Sequence, residues 1–246
     1  MSIELIEANW KKPAGVSTCS STRKGGFSAG PYSSLNLADH VNDDRLLVNQ
    51  NRRALYEAAK LPAQPQWLEQ THSADVVLLE ANPSRKADAA ITRSAGVVAA
   101  IMTADCLPVL LADTSGTEVA AIHAGWRGLA NGIIQNTLVN MVTQPERIQA
   151  WIGPSITQAH FEVGQEVRQV FLDNIESCDL LFKANRPGHY LCDLAGLAEK
   201  VLRLAGVQIV YRDPHCSYRD EELFFSYRRQ SVTGRMVSLI WVNNCR

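Results

Sequence analysis

The chain is poor in the features that announce most functions. Its 246 residues hold no CxxC pair and no HExxH, which excludes compact zinc fingers and the zincin helix. Internal repeats, low-complexity tracts and long linkers are absent, so neither a solenoid nor a tethered array is expected. Net charge is only −1, so nothing advertises nucleic acid or an anionic membrane as a partner. The longest apolar stretch, 97–112, is broken by Thr103, Asp105 and Pro108 and is too short and polar to span a bilayer. Glu4 and Glu7 interrupt any apolar leader near the start. The six cysteines, at 19, 106, 178, 192, 216 and 245, show no framework spacing. Reduced thiols and a cytoplasmic location are therefore expected.

What is present is an ordinary globular composition, 46% hydrophobic and 20% charged, enough to bury a core without disulfides. The length suits one large unit or two small ones. Helices are expected from Asp43 or Asp44 to Lys60, from about Arg127–Gly128 to Val142, over 164–175 and from Asp193 to about Gly206. Their inward faces would carry Leu47, Asn51, Leu55 and Ala59 in the first, Val167, Val170, Phe171 and Ile175 in the third, and Leu194, Leu197, Val201 and Leu204 in the fourth. Strands are expected over 66–68, 76–79, 97–102, 119–123, 149–152, 208–211, 223–227 and 236–242, the last two as a hairpin turning at Gly234. Helices and strands mix without strict βαβ alternation, which favours an α+β or layered arrangement with mixed sheets over a doubly wound parallel sheet.

Three residues stand where apolar runs meet polar turns: His72 in WLEQTHSADVVLL, Cys106 in VVAAIMTADCLPVLL and His123 in EVAAIHAGWRGLA. Two imidazoles and a thiolate suit zinc, and three protein ligands leave a fourth position open, as catalytic sites do. The plain alternative is two hydrogen-bonded loop histidines and a small buried thiol. The same trio also supports a thiolate nucleophile at Cys106 activated by a neighbouring imidazole. Beside it, Asp105 lies in the same break between apolar runs. The turn Gly125-Trp126-Arg127-Gly128 leads from a strand into a helix, where Arg127 and free N–H groups suit an anion. Arg23 and Asn36, in CSSTRKGGFSAGPYSSLNL, suit phosphate or carboxylate and a base or sugar hydroxyl respectively. Of Arg228 and Arg229 in FFSYRRQ, one would point into a site and the other to solvent. His40, His160, His189 and His215 have no comparable context, although His40 follows the SLNL segment.

STRKGGFSAGPYSSLNL, WLEQTHSADV, TADCLPVLL, AAIHAGWRG, WIGPSI with FEVGQEV, and FFSYRR with TGRM together resemble the laccase-domain family. This family is also called the multicopper polyphenol oxidase or purine nucleoside phosphorylase family, and its bacterial members include the peptidoglycan editing factor. The match spans about residues 18 to 236. Ser73 departs from the family's usual glycine after the histidine. The resemblance implies one domain over residues 1–246, a layered α/β/β/α sandwich with mixed sheets, and one metal, usually zinc, on His72, Cys106 and His123. Copper is the family's nominal metal, yet the chain has six histidines and no His-x-His pair, too few for a multicopper centre. The implied activity is phosphorolysis of adenosine, inosine, guanosine and methylthioadenosine, with adenosine deamination. Phosphate would be held by Arg23, Arg127 or Arg229, and the leaving base would be protonated by an acid such as Asp105. The rival expectations are an amidase that edits wrongly substituted UDP-muramoyl cell-wall precursors and a copper-dependent polyphenol oxidase or simple metal-binding protein.

Overall fold

A computed structural model describes residues 2–81 and 84–244. Continuous runs of β-branched and aliphatic residues build its largest sheet. In order across the sheet its strands are Ile209–Arg212, Ile148–Ile152, Leu107–Asp113, Val119–Ala124, Ala89–Thr92 and Val76–Leu78. The outermost pair at each edge is parallel and the three inner pairings are antiparallel. A second sheet, Leu5–Ile6, Val16–Ser21, Met236–Val242 and Ala99–Thr103, is wholly antiparallel. A third, small sheet joins Phe182–Arg186, His189–Cys192 and Glu162–Gly164.

Because side chains alternate across a strand, each strand of the two larger sheets serves two layers. Leu107, Val109 and Leu111 pack with Ile133, Ile134, Leu197 and Val201 of the helices on one face. Leu110 and Ala112 point the other way, into a dry layer shared with Ile101, Ile240 and Val242 of the second sheet. That sheet's far face, with Ala100, Val237 and Leu239, packs on Leu55 of the helix Arg45–Ala58. Helix, sheet, sheet and helix thus stack in four layers, the α+β sandwich expected.

Local departures have local causes. Asp44 and Asp193 cap the first and last helices, accepting from Leu46 N–H and Gly196 N–H. The helix expected over 127–142 is instead two, Trp126–Ala130 and Ile133–Asn140. Gly132, at φ +86°, turns the chain between them. Val170 and Leu204 are exposed, and Val48 and Leu202 take inward places. Residues 223–227 form turns rather than a strand, so no hairpin forms at Gly234, and Met236–Val242 pairs with Val16–Ser21 and Ala99–Thr103 instead. Residues 66–68 supply only a single bridge, from Gln66 to Ala99. The unexpected strands are short or buried on both faces, as in Ala89–Thr92, where no alternation marks them. Leu107–Asp113 carries Pro108 at its second position, where a missing N–H disturbs the ladder least. Cys19, Cys106, Cys178, Cys192 and Cys216 are free thiols; Cys245 lies outside the described residues.

Candidate active site

Strand register assembles the site. Leu107 pairs with Ala124 and Pro108 with His123, so Cys106 emerges beside the end of the strand that carries His123. Ala89 pairs with Ile122, which brings Asp88 alongside His123. His123 N–H donates to Asp88 O at 2.7 Å. His72 arrives from a loop at φ +61°. That loop is wound around Asp88: the Thr71, His72 and Ser73 N–H groups all donate to its carboxylate, at 3.1, 3.0 and 2.6 Å. Ser73 Oγ–H adds a further bond at 2.7 Å, which tightens the loop onto Asp88.

The ligand atoms of His72, Cys106 and His123 converge within 4.8 Å of one another. Cys106 Sγ stands 3.8 Å from His72 Nε2, and the two imidazole centroids are 4.7 Å apart at 72°. His123 Nδ1 lies 2.7 Å from Asp88 Oδ1. That contact orients the ring and leaves Nε2 for an ion, the carboxylate–histidine arrangement common around bound metals. Gly125 closes the cluster from behind. A Cβ there would meet His72 Cδ2 at 2.8 Å and Cys106 Sγ at 3.0 Å, so only glycine fits.

Asp88 is the functional residue that the sequence left unmarked. It is fully buried. Burial alone would raise its pKa, but the bonds from His123 and Ser73 hold it down at about 2. Burial likewise works against the Cys106 thiolate, yet His123 and His72 draw its pKa down to about 6. For His123, burial opposes the charge, and the Cys106 thiolate and Asp88 outweigh it, raising the pKa to about 9.

These residues form one end of a cavity of about 530 Å³. Trp126, Phe161 and Tyr227 supply aromatic walls, and Asp105 is the one carboxylate lining it among the described residues. Asp105 is held at φ +88°. Its Oδ1 accepts from Ser217 Oγ–H at 2.6 Å and its Oδ2 from Arg228 N–H at 2.7 Å. Arg127 reaches the cavity from over the Trp126 ring, 4.4 Å from its centroid. Arg228 also lines it, with Nη1 on the Glu162 carbonyl. His40 and Arg235 also line it.

Three expected substrate-binding residues stand off the cavity. Arg23 lies in a separate shallow groove, bonded to the Ser33 and Glu221 carbonyls and stacked over Phe225. Asn36 is fully buried, where it bridges Ala38, Asp43 and the Arg235 N–H. Arg229 directs its guanidinium to the carbonyls of Ser217, Tyr218 and Phe224. All three brace loops rather than face a ligand. The remaining histidines have partners elsewhere: His160 stacks on Tyr218, His189 contacts the Pro187 carbonyl and His215 pairs with Asp213.

The sequence model of the multi-copper polyphenol oxidoreductase laccase family matches residues 17–243. The chain belongs to this family. Among related proteins, "Purine nucleoside phosphorylase YfiH" of Escherichia coli (strain K12) is 46% identical over 97% of this chain and 99% of its own length. The purine nucleoside phosphorylase of Haemophilus influenzae is 43% identical over 97% and 99%. Among solved structures, a Neisseria meningitidis protein superposes with a TM-score of 0.93 at 43% identity, covering 98% of this chain and 99% of its own. YlmD from Geobacillus stearothermophilus gives 0.91 at 32% identity, covering 98% and 96%. No helix among the described residues is long and apolar enough to cross a membrane.

Proposed function

We propose that this protein is a zinc-dependent purine nucleoside phosphorylase that also deaminates adenosine, acting on adenosine, inosine, guanosine and methylthioadenosine in the cytoplasm. The observation that carries this reading is the convergence of His72, Cys106 and His123 at one end of an aromatic-walled cavity. The names of its relatives support it. The donor set fits zinc: two nitrogens, one soft thiolate, an open fourth position and a carboxylate fixing one ring. The 3.8 Å between Cys106 Sγ and His72 Nε2 suits two ligands of a tetrahedral ion. Copper is the second choice of metal for this set. Zinc, when bound, supplies Lewis-acid polarisation and an acidified water.

The chain's own residues do the rest. Trp126, Phe161 and Tyr227 give a purine flat surfaces to stack on. In phosphorolysis a phosphate oxygen bonds to ribose C1′ as the C1′–N9 bond breaks. The bond pair leaves with the purine, which takes up one proton, and the products are free base and ribose-1-phosphate. In this reading Asp105, the one carboxylate lining the cavity among the described residues, is the acid that carries that proton. In deamination, water adds at C6, ammonia departs and inosine remains.

The test uses protein of known zinc content with inosine or adenosine and phosphate, and chromatography for free base and ribose-1-phosphate. Phosphate-dependent release that disappears in Cys106→Ala is the expected result. No turnover with zinc in place would sink the nucleoside reading. A second reading rests on the Cys106 thiolate beside an imidazole, an arrangement that also suits attack on an amide carbonyl, as in editing of cell-wall precursors. A thiol amidase would survive chelation and die on alkylation, whereas the zinc enzyme fails on chelation.

A further inference from the structure

Arg235 is the cation on the cavity wall with the most restricted side chain. Its Nη1 donates to the Thr233 and Gly234 carbonyls, each at 3.0 Å, and its backbone N–H donates to Asn36 Oδ1 at 3.0 Å. The Tyr227 ring lies 5.9 Å from the guanidinium carbon. Neither Nε nor Nη2 has a protein partner among the described residues, and no carboxylate pairs with the charge. Arg23 and Arg229 differ on this point: their guanidinium groups are taken up by carbonyls outside the cavity. Arg127 lies on Trp126 with no such anchors.

We propose that Arg235 is the anion-binding residue of this cavity, its Nε–Nη2 edge taking two oxygens of inorganic phosphate. The Nε–Nη2 edge of a guanidinium matches a phosphate or carboxylate with two parallel hydrogen bonds. Two carbonyls holding Nη1 fix the plane of that fork before a ligand arrives, so little side-chain entropy is lost on binding. The negative groups within reach, Cys106 and Asp105, act on the Arg235 charge from a distance, and neither forms an ion pair with it. Asp105 already accepts from Ser217 and Arg228, and Cys106 belongs to the metal ligands. Burial lowers the Arg235 pKa from its ordinary value. His40, across the rim, has its own pKa lowered by burial and then by the Arg235 charge. An anion seated at Arg235 relieves both. The candidate metal ligands and the Arg235 fork then line the same cavity.

This assignment rests on the phosphorylase reading for its choice of phosphate, and the experiment separates the two. Calorimetry with inorganic phosphate is run on zinc-loaded wild type, Arg235→Gln and Arg235→Lys, beside the KM for phosphate and for inosine. Arg235→Gln is expected to weaken phosphate binding and raise its KM about tenfold or more. The KM for inosine and the zinc content should stay within about twofold, because uncharged nucleoside and metal do not use the fork. Arg235→Lys, which keeps charge and bulk but loses the fork, should fall between. Phosphate bound equally by wild type and both variants would overturn the proposal, even if phosphorolysis continued. Phosphate that binds wild type, is lost in Arg235→Gln, and supports no turnover would overturn the phosphorylase and leave the anion site standing.

Discussion

At the scale of single residues, the site is organised around a carboxylate that touches no ligand. Asp88 binds the loop of His72 and the ring of His123 at once. Asp88→Ala removes the acceptor of five N–H and O–H contacts. Zinc affinity should drop about 10- to 100-fold, measured by competition with a chromophoric chelator. Stability should fall by about 3 kcal/mol in urea, because buried donors lose their partner. Asp88 also sets an acid limit. Its folded pKa of about 2 lies below the ordinary aspartate value near 3.9. Its contribution to metal-free stability is therefore fully present above about pH 4 and is lost as the pH falls through 2. Urea midpoints of wild type should decline over that window, while those of Asp88→Asn should decline less. His72, Cys106 and His123 stood out in the sequence by residue type and by their place at the ends of apolar runs, and the family resemblance favoured a shared metal over a thiolate nucleophile or separate loop residues. Asp88 did not stand out. In KADAAIT nothing distinguishes a buried aspartate from a solvated one, and its role exists only through strand register. The arginines were illegible for a similar reason: Arg23 and Arg229 give donors to carbonyls of distant loops, Glu221 and Ser217, that only the fold brings near.

Secondary-structure elements were most readable where local chemistry decides. The caps at Asp44 and Asp193 needed only the residue and the apolar pattern after it. The break at Gly132 was hidden by a continuous run of helix-compatible residues on both sides. Gly132→Ala tests whether the break is required. Its Cβ would meet only Gln135 atoms, at 3.7 Å and beyond, so the cost is backbone strain at φ +86° and not collision. A loss of about 1–2 kcal/mol is expected, seen as a lower urea midpoint with zinc stoichiometry unchanged. The strand Leu107–Asp113 was missed because Pro108 reads as a breaker. It survives at the second position of an inner strand, and its carbonyl still accepts from Gly153 N–H.

For the molecule as a whole, the non-alternating element order pointed to mixed sheets, and the four layers were what the family resemblance implied. The site draws its ligands from segments around residues 72, 106 and 123, so it does not exist in the unfolded chain. Zinc should then stabilise the folded state. At free zinc a hundredfold above its Kd, the gain is about 3 kcal/mol, or roughly 6–12 °C in Tm for a chain of this size. Differential scanning calorimetry with and without chelator measures it; an unchanged Tm would argue against a built metal site.

Arg235 directly precedes Met236–Val242 of the four-stranded sheet, whereas His123 belongs to the six-stranded one. The cavity is therefore a caliper with its two jaws mounted on different sheets. What sets the gap is the dry layer between them, where Leu110 and Ala112 meet Ile101 and Ile240. Trimming that layer is expected to shift Arg235 relative to His123 without altering either residue.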